Sequence, residues 1–271
     1  MKKKKYKFKT WIIIIILSIF LSIFMISLVN IILWHNDNTK TKQNLDEIEQ
    51  IVDIEIIQDN DNTILVNEPD DSESDYWYYI TFPLINVNFD QLKEKNNDTV
   101  GWLNVNNTNI NYPFVQASDN EYYLYHSYDK SYNKAGWVFL DYRNNKNLTD
   151  RNNIIYGHHR VNNTMFTSLL NTLDYDWYLN KDNHIIRVST ENENTLWKII
   201  SVYKIKKESY YITVNFNDNT FSKFIDTIIE RSIYNFNDEV TIDDKILTLS
   251  TCYDDNTRVV VHAKLIKREN K

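Results

Sequence analysis

From Trp11 to Trp34 the chain carries no charge, and only three serines and one asparagine interrupt a run of large apolar residues. A segment apolar on every side is not an ordinary surface helix, and this one is long enough to cross the hydrocarbon core of a bilayer. Tryptophan at both ends suits the two interfaces. A cleavable signal peptide would need a shorter apolar region and a small-x-small site, and no such site stands between Ile26 and Asn38. Farther on, Leu45, Ile48, Ile51, Val52 and Ile56 recur among polar residues at helical spacing, predicting a juxtamembrane helix with one packing face. The acidic, Ser- and Asn-rich stretch from about Asp59 to Asp75 reads as a linker.

After Tyr76 the pattern changes to short β-like runs: 100–105, 110–115, 137–140, 153–156, 184–189, 195–203, 246–252 and 258–266. Eight runs separated by polar turns predict a mainly β domain, a sandwich or a barrel, with few helices. Asn88 is placed to cap a short helix carrying Phe89 and Leu92, and Thr164 another carrying Met165, Leu169 and Leu173. The clearest helix covers about Asn219 to Tyr234, where Phe221, Phe224, Ile225, Ile228 and Ile229 share a face. Four regions follow: 1–10 as a basic tail, 11–34 as a transmembrane anchor, 35–75 as juxtamembrane helix and acidic linker, and 76–271 as the mainly β domain.

Charge supplies the orientation. Six lysines stand ahead of Trp11, so the positive-inside rule keeps the N-terminus in the cytoplasm and sends the rest out. Setting those six charges aside from the net charge of −7 leaves −13 on residues 10–271. An acidic exported portion argues against nucleic acid as a partner, because phosphate binding relies on basic patches. Hydrophobic residues make up 42% of the chain, ample for a packed core.

A single cysteine excludes an internal disulfide. Cys252 ends the β-like run Ile-Leu-Thr-Leu-Ser-Thr-Cys, five polar residues follow, and Arg258 opens the next run. Paired as a hairpin, the two strands bring Cys252 and Arg258 face to face. A cation there favours the thiolate and can donate hydrogen bonds to an oxyanion. Upstream, Asn-Ile-Ile-Tyr-Gly-His-His delivers His158 at the end of another apolar strand, with Gly157 expected to allow a sharp turn. A thiol and an imidazole are the minimum for nucleophilic acyl transfer. His262 is about 13 Å along the strand from Arg258 at the usual rise, too far for proton exchange with Cys252. His159 adjoins His158 as a second candidate, whereas His35, His126 and His184 read as surface or structural residues. No HExxH or CxxC spacing is present, so no metal and no cofactor are expected.

Together, Thr-Leu-Ser-Thr-Cys252 with Arg258, and Tyr-Gly-His158 upstream, resemble the active-site set of sortases. Val-Gly-Trp-Leu-Asn, Ile-Asn-Tyr-Pro-Phe-Val-Gln and Asp-Asn-Glu-Tyr-Tyr-Leu, between Val100 and Leu124, resemble class B sortases in particular. The likeness covers roughly residues 85 to 266. It implies a closed eight-stranded β-barrel with N-terminal helices and a long helix between strands six and seven. It also implies a transpeptidase with Cys252 as nucleophile, His158 as acid and base, and Arg258 as oxyanion and substrate clamp. Asn120, Leu124, Tyr211, Ile212, Ser250 and Thr251 match substrate-groove positions. The implied partners are secreted proteins with a C-terminal sorting signal of the Asn-Pro-x-Thr-Asn kind, and a peptidoglycan amine as acceptor. A pilin lysine as acceptor, or hydrolysis by a surface cysteine protease, are the alternatives.

Overall fold

The apolar run folds as the first part of one unbroken helix, α1 (Lys4–Ile51). The structure is a computed structural model that describes residues 4–160, 162–252 and 256–271; the side chains of 4–9 and 252 lie outside that description. The thiol of Cys252, the side chains of the lysine cluster and Tyr253 are therefore outside the described residues. Trp11 to Trp34 are exposed along the helix. Among the described residues this is one helix long and apolar enough to cross a membrane. Its C-terminal part docks on the body, burying Thr41, Asn44 and Ile48, with Asn133 Nδ2 donating to Asp37 O at 3.0 Å and Thr41 Oγ1 at 3.1 Å.

Ile56 does not extend the helix as its spacing predicts. It belongs to β1 (Asp53–Ile57). The expected linker contains β2 (Thr63–Leu65) and leads through α2 (Tyr76–Tyr79) to β3 (Leu84–Asn88) and α3 (Asp90–Lys95). β1 pairs antiparallel with β3. Phe89 rather than Asn88 holds the cap position of α3, and the Asn88 side chain accepts from Asp90 N at 2.9 Å from one residue earlier. The lysine at position 267, fully buried, explains why the linker is held: its amine donates to Ile80 O at 2.6 Å and Phe82 O at 2.7 Å and pairs with Asp59 at 2.5 Å. A buried ammonium demands such partners, and the Ile80 and Phe82 carbonyls just after α2, with the Asp59 carboxylate, provide them.

All eight β-like runs form strands: β4 (Thr99–Val105), β5 (Asn111–Val115), β6 (Phe139–Leu140), β7 (Asn152–Gly157), β8 (Ile185–Thr190), β9 (Glu193–Lys206), β10 (Ile246–Cys252) and β11 (Thr257–Asn270). They neighbour one another in the order β10-β7-β6-β5-β4-β8-β9-β11, and the pairing of β11 with β10 closes the ring. This is the eight-stranded barrel; β2 adds to the far end of β11. Two pairs are parallel, β5 with β6 and β7 with β10. One face of β10 and β11, carrying Leu247, Leu249, Val261 and Ala263, packs in the main core with Trp137 and Trp197.

The outer face of the same strands is covered by a helix. Between β7 and β8 lie a 3-10 turn (Thr167–Leu173) and α4 (Tyr175–Leu179), and between β9 and β10 lies α5 (Asp218–Glu230). α5 thus joins the sixth and seventh barrel strands. Asn217 caps it in a reciprocal pair with Thr220. Phe221, Phe224, Ile225 and Ile228 then bury against Ile200, Tyr203, Ile246 and Val260. Each fully buried side chain of this size contributes about 1.5–3 kcal/mol. The other expected cap fails: Met165 adopts a left-handed backbone (φ 56°) and bridges to His159, so the helical turn begins only at Thr167.

Two histidines are locked in the interior. His184 receives the Tyr79 hydroxyl at Nδ1 (2.8 Å) and donates from Nε2 to Tyr178 O (2.9 Å). His262 lies between the hydroxyls of Tyr203 (2.7 Å) and Thr248 (2.8 Å). Burial pushes His184 down to about 4 and His262 down to about 3. Unfolded histidines protonate near pH 6.5, so below that pH the unfolded chain binds more protons than the folded one. Stability should therefore fall as pH drops from about 6.5 toward 4.5, by about 1.4 kcal/mol per pH unit for each histidine at full slope. Guanidinium unfolding between pH 7 and 5 measures this; His262→Gln should flatten the slope, and a pH-independent stability in the parent chain would contradict it.

Candidate active site

Three strand ends meet at one rim of the barrel. β10 lies between β7, which runs parallel to it, and β11, which runs antiparallel. In that register Thr251 stands beside Gly157, and Cys252 stands opposite Arg258. His158 follows directly on β7. The pairing therefore gathers the backbones of residues nearly a hundred positions apart.

A groove of about 290 Å³ opens there, lined by His158, Arg258, Asn120, Leu124, Tyr211, Ile212, Ser250 and Thr251. All eight are residues that the sequence singles out. Phe139, Tyr156, Gly157, Lys207 and Glu208 complete the lining. Of these, Tyr156 was within reach of sequence reasoning, since it directly precedes Gly157 and His158 on one strand. Phe139, Lys207 and Glu208 carry no such signal.

His158 is defined by its surroundings. Its Nε2 lies 2.9 Å from Leu124 O. A carbonyl only accepts, so Nε2 carries the hydrogen and Nδ1 is the basic nitrogen of the neutral ring. Burial pushes the imidazole below its ordinary value, the Leu124 bond opposes that, and the charges of Arg160 and Arg258 push it down further. The ring is thus neutral at pH 7. Gly136 makes room for it: at φ 62° and with an added Cβ only 2.6 Å from His158 Cδ2, a side chain would be both strained and in collision. Gly157 has a different reason from the expected sharp turn. It continues β7, and a Cβ would stand 2.5 Å from the Phe166 ring.

The walls are fixed from behind. Asp119 Oδ1 accepts from Glu121 N and Tyr122 N, both at 2.8 Å, starting the turn Tyr122–Leu124 that presents Leu124. Across the groove, the turn Tyr210–Ile212 is held by Asn152 Nδ2, which donates to Tyr211 O (3.1 Å) and Thr213 O (2.9 Å). Ser250 Oγ reaches the Tyr211 hydroxyl at 3.4 Å. Thr251 Oγ1 is buried with no hydrogen-bond partner among the described residues. Arg258 Nη1 donates to Thr257 O at 2.9 Å.

The other histidines stay outside. His159 does not line the groove and bridges to Met165 through its backbone. His126 stacks on Tyr122 at 4.0 Å, His35 is exposed on α1, and His262 is enclosed in the core. Among the described residues no group of three His, Cys, Asp or Glu side chains is placed to hold a metal.

The charge effect on His158 is directly measurable. Replacing Arg160 with Gln removes one of the two cations that disfavour the imidazolium, so the His158 pKa should rise toward 6.5. An NMR titration of the imidazole Cε1–H reads it; an unchanged or lower value would contradict the electrostatic account.

A family model described as the sortase domain matches residues 103–266. Sortase B of Listeria monocytogenes is 35% identical over 182 residues, covering 65% of this chain and 73% of that protein. A Bacillus anthracis protein described as similar to sortase B superposes with a TM-score of 0.67 at 32% identity, over 87% of this chain and 98% of that one. The structure of a Staphylococcus aureus sortase B–substrate complex superposes with a TM-score of 0.62 at 34% identity, over 66% and 84%. With its closed barrel and its groove at the shared end of β7, β10 and β11, this chain belongs to the sortase family and, within it, to the class B transpeptidases.

Proposed function

We propose that the groove receives the C-terminal sorting signal of secreted proteins, cleaves it after threonine, and passes the acyl group to an amine of cell-wall peptidoglycan. The observation that carries this reading is the register that sets Cys252 opposite Arg258 beside the strand end bearing His158. In this account the Cys252 thiol passes its proton to Nδ1 of His158, and the thiolate attacks the scissile carbonyl carbon. Arg258 stabilises the tetrahedral oxyanion. The imidazolium returns its proton to the departing amine as the C–N bond breaks, leaving a thioester on Cys252. The incoming amine attacks that thioester, gives a proton to His158, and releases the thiolate. The thioester retains the activation of the original bond, so ligation needs no nucleotide.

Leu124, Tyr211 and Ile212 would bound the apolar sides of the peptide, with Asn120, Ser250 and Thr251 supplying polar contacts. The sorting signal is of the Asn-Pro-x-Thr-Asn kind. Residues 1–10 lie in the cytoplasm, 11–34 span the membrane, 35–75 join the anchor to the body, and 76–271 form the catalytic domain outside. The exposed apolar half of α1 and the lysines before it support this orientation. Tethering enzyme and emerging substrate to one surface raises their effective concentration.

Incubating the full chain in detergent micelles with a signal peptide and an amine acceptor, and weighing the products by mass spectrometry, tests the reading. Cys252→Ala should abolish both cleavage and ligation. His158→Ala should lower the rate by roughly 10²–10⁴-fold, and Arg258→Lys by roughly 10²-fold, because an ammonium cannot reproduce the planar fork. Turnover retained by Cys252→Ala would reject the assignment. A hydrolysed product alone, with acceptor in excess, would favour the protease reading, and ligation restricted to a lysine side chain would favour pilin assembly.

A further inference from the structure

Asp141 follows immediately on β6, and its carboxylate is completely buried. Oδ2 accepts from Asn120 Nδ2 at 2.9 Å, from the Tyr156 hydroxyl at 2.9 Å and from Arg143 Nη2 at 2.7 Å. Oδ1 accepts from Arg143 Nε at 2.8 Å and from the Arg143 backbone at 3.0 Å. Arg143 continues outward, donating from Nη2 to Ile212 O at 2.9 Å. Asn120 is held at its other end as well, its Oδ1 accepting from Tyr142 N at 2.9 Å. One carboxylate thus ties together three separate walls of the groove: the Asn120 loop, β7, and the Tyr210–Ile212 turn.

The direction of these bonds has chemical content. A carboxylate can only accept, so it decides which way each partner faces. The Asn120 amide cannot flip without pointing its oxygen at Asp141. It keeps its second N–H as a donor. Tyr156 spends its only O–H on Asp141 and is left with an acceptor oxygen. Five donors converge on the group and offset the cost of burying its charge. Burial alone would raise the carboxyl, but the bonds from Arg143, Tyr156 and Asn120 outweigh it and keep Asp141 below the usual carboxylate range.

We propose that Asp141 is a positioning residue for substrate selection: it fixes the donor at Asn120, the acceptor at Tyr156 and, through Arg143, the height of the Ile212 wall. This role rests on the reading that the groove takes a peptide signal. Asp141 does not touch the reacting atoms. It acts on how tightly and how selectively the peptide seats.

Steady-state kinetics of the full chain in micelles on a quenched signal peptide, with wild type, Asp141→Asn and Arg143→Gln, separates the possibilities. Asp141→Asn replaces an acceptor by a donor facing the donors of Asn120 and Arg143, and should raise KM about tenfold with kcat within about twofold. It should also reduce the discrimination between two peptides differing at one signal position, with the rate of Cys252 alkylation by iodoacetamide unchanged. Arg143→Gln removes two of the donors to Asp141 and cuts the tie to Ile212 but keeps the Asp141 bonds to Asn120 and Tyr156, so KM should rise by a smaller factor, about threefold. Should Asp141→Asn fail to fold, Arg143→Gln decides, and an unchanged KM there overturns the proposal. An active wild type with unaltered KM and selectivity in Asp141→Asn, or with a loss confined to kcat and slowed alkylation, overturns it alone. A wild type inactive on every signal peptide would overturn the groove reading and this proposal together.

Discussion

Closure of the barrel through β10 is the constraint on which the site depends. β10 is pinned on one side by parallel pairing to β7 and on the other by antiparallel pairing to β11. A slip of one residue in either ladder would reverse every side chain relative to its neighbour. The two faces of β10 resist such a slip for different reasons: Leu247 and Leu249 belong to the main core, whereas Ile246 packs beneath α5. The register that aligns Cys252 with Arg258, and Thr251 with Gly157, is thus set by burial elsewhere along the strands.

Much of this was legible because the barrel strands obey local rules. Apolar and β-branched residues bounded by polar turns marked all eight, and the α5 stripe of Phe and Ile announced an amphipathic helix that covers β10. The groove residues were legible through resemblance, since Asn120, Leu124, Tyr211 and Ile212 have no local feature that declares a binding role. What stayed hidden depends on tertiary partners. The segment from Asp59 to Asp75 looks like a linker because its residues are polar and acidic, yet Asp59 pairs with the buried amine of Lys267 and residues 63–65 join β11 as a strand. Lys198 gives no sign in sequence of being fully buried against Asp238 at 2.5 Å. Met165 has helical company, but its left-handed backbone breaks the helix before it begins.

The site also depends on polar groups buried in the scaffold. His262, Thr248 and Asn152 form a hydrogen-bonded line through the core that ends on the backbone of the Tyr210–Ile212 turn. Asp141 reaches the same turn from the other side through Arg143. A partly satisfied network would be costly in such surroundings, whereas a satisfied one confers a single geometry. The Asn120 loop and the Tyr210–Ile212 turn are not barrel strands, but the scaffold orders both from behind.

The proposed chemistry requires thiol, imidazole and guanidinium to serve one groove. A crystal structure of the protein after reaction with a sorting-signal peptide, its scissile carbonyl carried by a chloromethyl ketone, tests it most directly. A covalent link at Cys252 is expected, with the peptide running between Leu124 and the Tyr211–Ile212 wall and Arg258 within hydrogen-bond reach of the carbonyl oxygen. A thiol that stays unmodified and sealed in the interior, or a peptide that leaves Cys252 away from His158, would contradict it.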